Sequence, residues 1–490
     1  MSIVLRSSRL MLILTLAGFT SFGLAQESFL GQGTATRNAW REAVAATQHV
    51  KSVDGVSPPI TQSPGLQDKL NDTARTREVL QQILQRIAKS AKAAQPNAAQ
   101  QGGSQVTPTL ASILGVTDER EANLRQNRLF PHASIGGGWR HPSELSWGIR
   151  DDLDAIPISM DDGTTVSLKD WRKRTSTDGL LVMHRGQIVY ERYSRMMPWE
   201  RHATWSVSKS LTGLIAADLI QEGSLDANAP IAHYLPELRD SAWADATVQQ
   251  TLDMTTGVGY EEAITVDKPG VVQYLVAAGL MKAPDGYSGA RNMVDFLKSL
   301  HKSGEHGRAF SYKSVDTEVV GLLLERITGK HYAQLVSERI WKPMGSVMNA
   351  YVLQDGSGTQ LSGMGINGTL RDLARLAEMI RLEGRYNGRQ ILQPSTVAEL
   401  RKGGDPAALK AGGVDARRWT GYSYHDFWWF SHDADGTMEA KGFSGQHIHV
   451  NPAAELVIVK LSSFGPPDPF ATHAQDRRAF AAIAQAVRGL

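Results

Sequence analysis

Two strand pairs lie far apart in this chain with a mostly helical sequence between them, and that arrangement restricts the fold most. Gly179-Leu-Leu-Val-Met-His184, a turn at Arg185-Gly186, and Gln187-Ile-Val-Tyr190 read as a hairpin. Near the other end, Gln446-His-Ile-His-Val450, a turn at Asn451-Pro452, and Glu455 to Leu461 repeat the pattern. Between them, Gly223, Gly329 and Gly384 each follow an apolar run of helical period, as expected of helix exits. A last helix starts near Asp476. Strands at both ends of a domain with helices inserted between them suggest one α/β layer plus a helical lobe. The predicted class is α/β: an antiparallel sheet flanked by helices, with an inserted all-helical lobe and a ligand cleft between them.

The cleft needs chemistry, and Trp205 to Gly213, WSVSKSLTG, supplies a candidate. Ser206 opens a helix whose apolar residues Leu211, Leu214, Ile215 and Leu219 repeat at helical spacing. Lys209, three residues on, shares its face, so the amine can reach the hydroxyl. The first turn carries unpaired N–H groups and the positive end of the helix dipole, which favour a developing oxyanion. A lysine held there and desolvated is pushed toward a useful base. The plainer alternative is a serine at a helix start beside a solvated lysine.

S-x-x-K occurs again at Ser299 to Lys302. This copy follows the apolar face Met293, Phe296, Leu297 and Leu300 and precedes Ser303-Gly304, so it closes a helix. Carbonyl groups point outward there and repel negative charge, and Lys302 suits such an end without any catalytic role. The second copy is a decoy.

Two further segments bear on Ser206. In Phe310-Ser-Tyr312-Lys-Ser314, a phenol at a helix entrance can relay a proton, and a hydroxyl two residues on can hold the lysine. Otherwise Ser314 is an N-cap and Tyr312 a packed aromatic. In Lys441-Gly-Phe443-Ser444-Gly445-Gln446, small residues on an edge strand let a substrate lie alongside. The Gln446 N–H would then pair with the Ser206 N–H as an oxyanion hole. Otherwise the glycines mark a bulge.

The order of these elements, S-x-x-K, then Y-x-S, then a Gly-rich strand, resembles the serine β-lactamase and penicillin-binding superfamily, specifically its class C branch. WSVSKSLTG, LDMTTGVGYEE, FSYKSVDTEVVG and GFSGQHIHVNP resemble 6-aminohexanoate-dimer hydrolases and their esterase-like members, from about residue 130 to the C-terminus. The resemblance implies a β-lactamase/transpeptidase-like fold with Ser206 as acylated nucleophile and Lys209 and Tyr312 as the proton-handling pair, either of which can be the acylation base. It implies a small amide or ester substrate, Ser314, Tyr260, Glu262, Phe443, Ser444 and Gly445 as substrate-binding residues, and no metal or cofactor. Departures stand out: Tyr312-Lys313-Ser314 replaces the family's Y-x-N, a change that the nylon-oligomer branch shares. Phe443-Ser444-Gly445 replaces the K-T-G or H-T-G strand motif, which removes a carboxylate anchor, and Ile264 stands where the nylon-oligomer branch has a substrate-holding Tyr after the Glu matched by Glu262. The alternatives are a β-lactamase or D-alanyl-D-alanine peptidase, and a non-catalytic cell-wall or partner-binding module.

Other readings are excluded by composition and spacing. A formal net charge of +2 over 490 residues gives no case for nucleic acid. G-F-S-G-Q is not a nucleophile elbow, since its second Gly is one position early and a strand follows. His447 and His449 share a strand face, but with no third ligand at a suitable spacing they read as a solvated face.

Arg6 and Arg9 followed by an apolar run from Leu10 to Leu24 and Ala25 describe a secretory signal peptide over residues 1–25, hence a periplasmic or secreted protein with no stable membrane span once it is removed. Without cysteine, stability in an oxidising compartment rests on packing. Residues 26–130 read as an extension with an amphipathic helix between Leu66 and about Ala91 and a Gln/Ala/Gly-rich linker, leaving 131–490 as the catalytic domain.

Overall fold

The computed structural model describes residues 118–262, 270–283, 286–413, 419–464 and 472–488. These all fall in one compact unit, Gln67–Leu490. The expected signal peptide, the amphipathic helix expected in the extension and Ile264 lie outside the described residues.

The main sheet has eight strands: β1 (Ser146–Trp147), β2 (Thr177–His184), β3 (Gln187–Tyr193), β4 (Ser423–His425), β5 (Trp428–Phe430), β6 (Met438–Gly442), β7 (Gln446–Asn451) and β8 (Leu456–Ser462). Their order across the sheet is β4-β5-β6-β7-β8-β2-β3-β1. All neighbours are antiparallel except the short β1–β3 pair. The two predicted hairpins are β2–β3 and β7–β8, and β8 zips against β2, with Val459 opposite Leu181. That pairing joins the two ends of the domain into one sheet.

Strands β2 and β8 are apolar along nearly their whole length because both faces are covered. Leu181, Met183, Val457 and Val459 join the large core under the helical lobe, while Leu180, Val182, Leu456 and Ile458 join a second core with Trp171, Phe480 and Ile483. Each such side chain contributes roughly 1.5–3 kcal/mol when fully buried.

The helices that matter to the cleft are α1 (Glu119–Leu124), α2 (Val207–Gln221), α3 (Val248–Leu252), α4 (Met293–Ser299), α5 (Ser314–Thr328), α6 (Leu370–Arg381) and α7 (Thr472–Arg488). Helix α2 carries fully buried residues around almost its whole circumference, so it runs through the core between sheet and lobe. Gly223 (φ 74°), Gly329 (φ 66°) and Gly384 (φ 80°) adopt the left-handed conformation after α2, α5 and α6, as their places in the sequence require. Residues 118–130 do not belong to a separate extension. Ala122 and Asn123 of α1 are fully buried in the main core, and the Trp205 indole donates to Asn123 Oδ1 at 2.7 Å.

Candidate active site

Ser206 sits at a tight entry into α2. Trp205, just before it, is held at φ 49°, a left-handed conformation costly for a bulky residue. Its indole is fixed between Asn123 and the Phe443 ring, whose centroid is 5.8 Å away. The N–H groups of Val207, Ser208 and Lys209 close onto the Thr204, Trp205 and Ser206 carbonyls at 3.1, 2.9 and 3.1 Å. The Ser206 N–H thus heads the helix at the positive end of its dipole.

Lys209 is 1 % exposed, and its Nζ donates to Ser206 Oγ at 2.9 Å and to the Gly363 carbonyl at 2.8 Å. Burial drives its pKa down from the ordinary lysine value to about 8, against the pull of the Glu262 and Glu318 carboxylates. The hydroxyl of Ser314, expected to hold this lysine, does not. It donates to Glu262 Oε1 at 2.6 Å, and the Ser314 N–H donates to Oε2 at 3.0 Å.

Tyr312 stands at the entrance of α5, half-buried, hydrogen-bonded to Ser206, with its ring centroid 5.2 Å from Lys209 Nζ. Burial pushes the phenol well above its ordinary pKa, the Ser206 hydrogen bond opposes the shift, and Glu262 adds to it. Tyr260 is buried nearby, and its phenol is raised by burial first and by Glu262 second. Glu262 itself is exposed. Ser206, Lys209, Tyr312, Ser314, Tyr260 and Glu262 are therefore brought together.

The Lys441–Gln446 segment departs from expectation. Strands β6 and β7 lie inside the sheet, not at its edge, because β4 and β5 extend it further. Pairing of β5 with β6 nonetheless ends at Glu439, so the Gly442 end of β6 is open toward the cleft. A Cβ on Gly442 would stand 2.5 Å from the Thr204 carbonyl, so only glycine lets β6 abut the turn before Ser206. Phe443 follows, half-buried against Trp205. Ser444 (φ 61°) and Gly445 (φ 87°) then form a buried turn, with Gly445 against Thr472, Lys460 and Ser462. Gln446 is wholly buried, and its side chain is spent on the Phe443 and Ser462 carbonyls and the Ser462 N–H at 3.0, 2.6 and 3.0 Å. It braces the turn from behind. Gly442 and Phe443 touch the nucleophile's turn.

Lys441 does not replace the missing strand lysine. It alternates to the other face of the sheet, fully buried, 2.7 Å from Glu439 Oε2. His447 and His449 lie on that face too, within 2.9 and 3.3 Å of Glu439 Oε1, so they are not a solvated face as read from sequence. Helix α7 covers them, with Phe480 against both rings. Among the described residues, the imidazole and carboxylate atoms that converge as a metal site would require belong instead to Asp253, His425 and Asp426, within 4.8 Å. Those groups satisfy one another: His425 Nδ1 lies 2.8 Å from Asp253 Oδ1, and the Gln249 amide donates to both carboxylates at 3.0 Å.

The second S-x-x-K behaves as a helix end. Ser299 is the last residue of α4 and donates to the Phe296 carbonyl at 2.7 Å, while Lys302 pairs with Asp245. Three contributors to the site went unread in the sequence: Glu318, Gly363 and Trp429, whose indole stacks on the Tyr312 ring. Glu318 left one faint signal, a carboxylate one turn after Ser314 and followed by the apolar pair Val319-Val320.

A buried lysine on a serine at a helix start, a phenol on the same hydroxyl and a glycine strand end beside them define a serine hydrolase site in a two-lobed α/β fold. The beta-lactamase family model matches residues 164–483. The chain is 30% identical over 371 residues to a 6-aminohexanoate-dimer hydrolase of Paenarthrobacter ureafaciens, a match spanning 75% of this chain and 91% of that one. It is 27% identical over 186 residues to the esterase EstB of Burkholderia gladioli, covering 34% of this chain and 44% of that protein. A solved Bacillus anthracis structure, provisionally described as a 6-aminohexanoate-dimer hydrolase, superposes with a TM-score of 0.69 at 28% identity, covering 76% of this chain and 95% of that one. The chain belongs to the beta-lactamase family and is a serine hydrolase acting on small substrates.

Proposed function

We propose that the protein cleaves short linear amides carrying a free amine, or small esters, through an acyl-enzyme on Ser206, in the manner of the class C branch. The observation that carries this reading is the 2.9 Å contact between Ser206 Oγ and the buried Lys209 amine. With Lys209 near 8 and the Tyr312 phenol raised by burial, Lys209 is the group whose neutral form is within reach, roughly one molecule in ten at pH 7. Lys209 therefore takes the hydroxyl proton as Oγ bonds to the substrate carbonyl carbon. Tyr312 passes a proton to the departing amine or alkoxide as the acyl bond breaks, and it is reprotonated from Lys209. Water then attacks the ester, gives up its proton to the same pair, and returns Ser206. The Ser206 N–H, at the positive end of the α2 dipole, stabilises the oxyanion.

Glu262 is an exposed charge beside Ser314, and Lys441 faces the other way. A substrate ammonium finds a partner there, whereas a β-lactam carboxylate would meet that negative charge and be desolvated at a cost. The Arg6, Arg9 and apolar Leu10–Leu24 sequence supports export to the periplasm or medium. A panel of p-nitrophenyl esters, aminoacyl amides and a chromogenic cephalosporin tests the specificity. The first two should be cleaved and the third poorly, and efficient cephalosporin turnover, at about 10⁴ M⁻¹s⁻¹ or above, would overturn it.

A further inference from the structure

Glu318 is a buried carboxylate that the proposed mechanism leaves unused. It is 2 % exposed, one turn beyond Ser314 in α5. Its Oε1 accepts from the Tyr274 hydroxyl at 2.5 Å and from the Gly363 N–H at 3.1 Å, and its Oε2 accepts from Ser362 Oγ at 3.1 Å. Gly363 turns its carbonyl the other way, onto Lys209 Nζ at 2.8 Å. A Cβ at Gly363 would stand 2.7 Å from Glu318 Oε1, so the residue between carboxylate and amine is held without slack. The same buried carboxylate thus anchors the loop that gives Lys209 its backbone acceptor, and it faces that amine electrostatically as well.

We infer that Glu318 is a positioning residue that fixes Lys209 on Ser206 through Gly363 and stabilises the ammonium formed when Lys209 takes the serine proton. The groups around Lys209 are few. From α5 and its entrance come Glu318 and Tyr312, and from the loop after α3 comes Glu262. Tyr260, Tyr274 and Tyr332 pack around the carboxylates as neutral phenols raised by burial. Lys313 is directed to the Thr256 carbonyl at 2.9 Å, beside Asp316. Among the described residues, Glu318 is thereby the buried carboxylate in direct contact with the lysine's anchoring loop; burial raises its pKa, and the Tyr274 hydrogen bond, the Lys209 charge and the Gly363 N–H oppose that rise. Glu262 also favours the ammonium, but it is exposed and open to screening by salt. An unscreened carboxylate on the closed side makes the lysine a stronger proton acceptor than its burial alone would allow.

The inference rests on Lys209 as the working amine, so the two are tested apart. Lys209→Ala must abolish turnover; if it does not, the site assignment fails whatever Glu318 does. Given that, Glu318→Gln keeps the side-chain shape and an acceptor for the Gly363 N–H but removes the charge. The limb of the kcat/KM–pH profile that belongs to Lys209 should move to lower pH by ~1 unit, and the move should persist in 1 M salt, where the Glu262 contribution fades. If Glu318→Gln does not fold, Glu318→Asp carries the test, because it withdraws the charge by one methylene and should shift the limb part of the way in the same direction. A folded variant of either kind with an unmoved limb, and only a lower melting temperature, overturns the inference.

Discussion

The Tyr312 phenol lies parallel to the Trp429 indole, with ring centroids 6.3 Å apart and planes 14° apart. Trp419 stacks in turn on Trp429 at 3.9 Å and 13°. Strand β5 thereby holds the orientation of a group on the opposite lobe. Trp429→Leu should cut turnover while leaving the pH profile in place, since the stack orients the phenol without changing its charge. Tyr312→Phe should leave KM nearly unchanged and lower kcat by ~10²-fold or more, the usual scale for a lost acid/base group. Steady-state kinetics on one ester and one amide check both, and an unchanged kcat in Tyr312→Phe returns that residue to packing alone.

Lys441 should matter to folding and not to substrate. Its ammonium is buried against Glu439, with Trp419 and Tyr422 rings 5.0 and 5.5 Å away. Lys441→Met leaves Glu439 short of a cation, and breaking a buried pair costs ~3–5 kcal/mol. Thermal melts should show the loss, with KM unchanged at a temperature where the variant is folded. A raised KM with an unchanged melt would place Lys441 in the cleft.

The His425 imidazole lies between Asp253 Oδ1 at 2.8 Å and Asp426 Oδ2 at 3.3 Å, tying the β4–β5 turn to the end of α3. Burial alone would lower its pKa, but Asp253 and Asp426 raise it from 6.5 to about 9. A histidine with a raised folded-state pKa adds stability that is fully present below its unfolded value and is lost as pH climbs through about 9. Melting temperature should therefore fall between pH 6.5 and above 9, and His425→Gln should flatten that part of the curve. An identical slope in the variant would remove His425 from the account. Exhaustive chelation should leave turnover intact; a loss restored by zinc would assign the Asp253, His425 and Asp426 cluster a metal.

Much of this was legible in the sequence, and the unread parts share a cause. Ser206 and Lys209 are one helical turn apart, and the hairpins β2–β3 and β7–β8 are local in sequence, so periodicity and turn residues reach them. Glu318 and Gly363 act on Lys209 from far along the chain, and a lone Glu in a helix carries no mark of what it faces. Alternation showed that His447 and His449 share a face but not that α7 covers it. The strands β4 and β5, three residues each, are too short to announce themselves, which is why β6 read as an edge. Their Tyr424 and Trp429 then proved to be the wall behind Tyr312.

The central claim is that Ser206, and not Ser299, becomes acylated. Mass spectrometry of the protein quenched during turnover of a p-nitrophenyl ester reads this directly. The account predicts one acyl group on the peptide bearing Ser206, absent in Ser206→Ala together with all turnover, and unaffected in Ser299→Ala. Turnover with no adduct, an adduct on another residue, or wild-type activity in Ser206→Ala would contradict it.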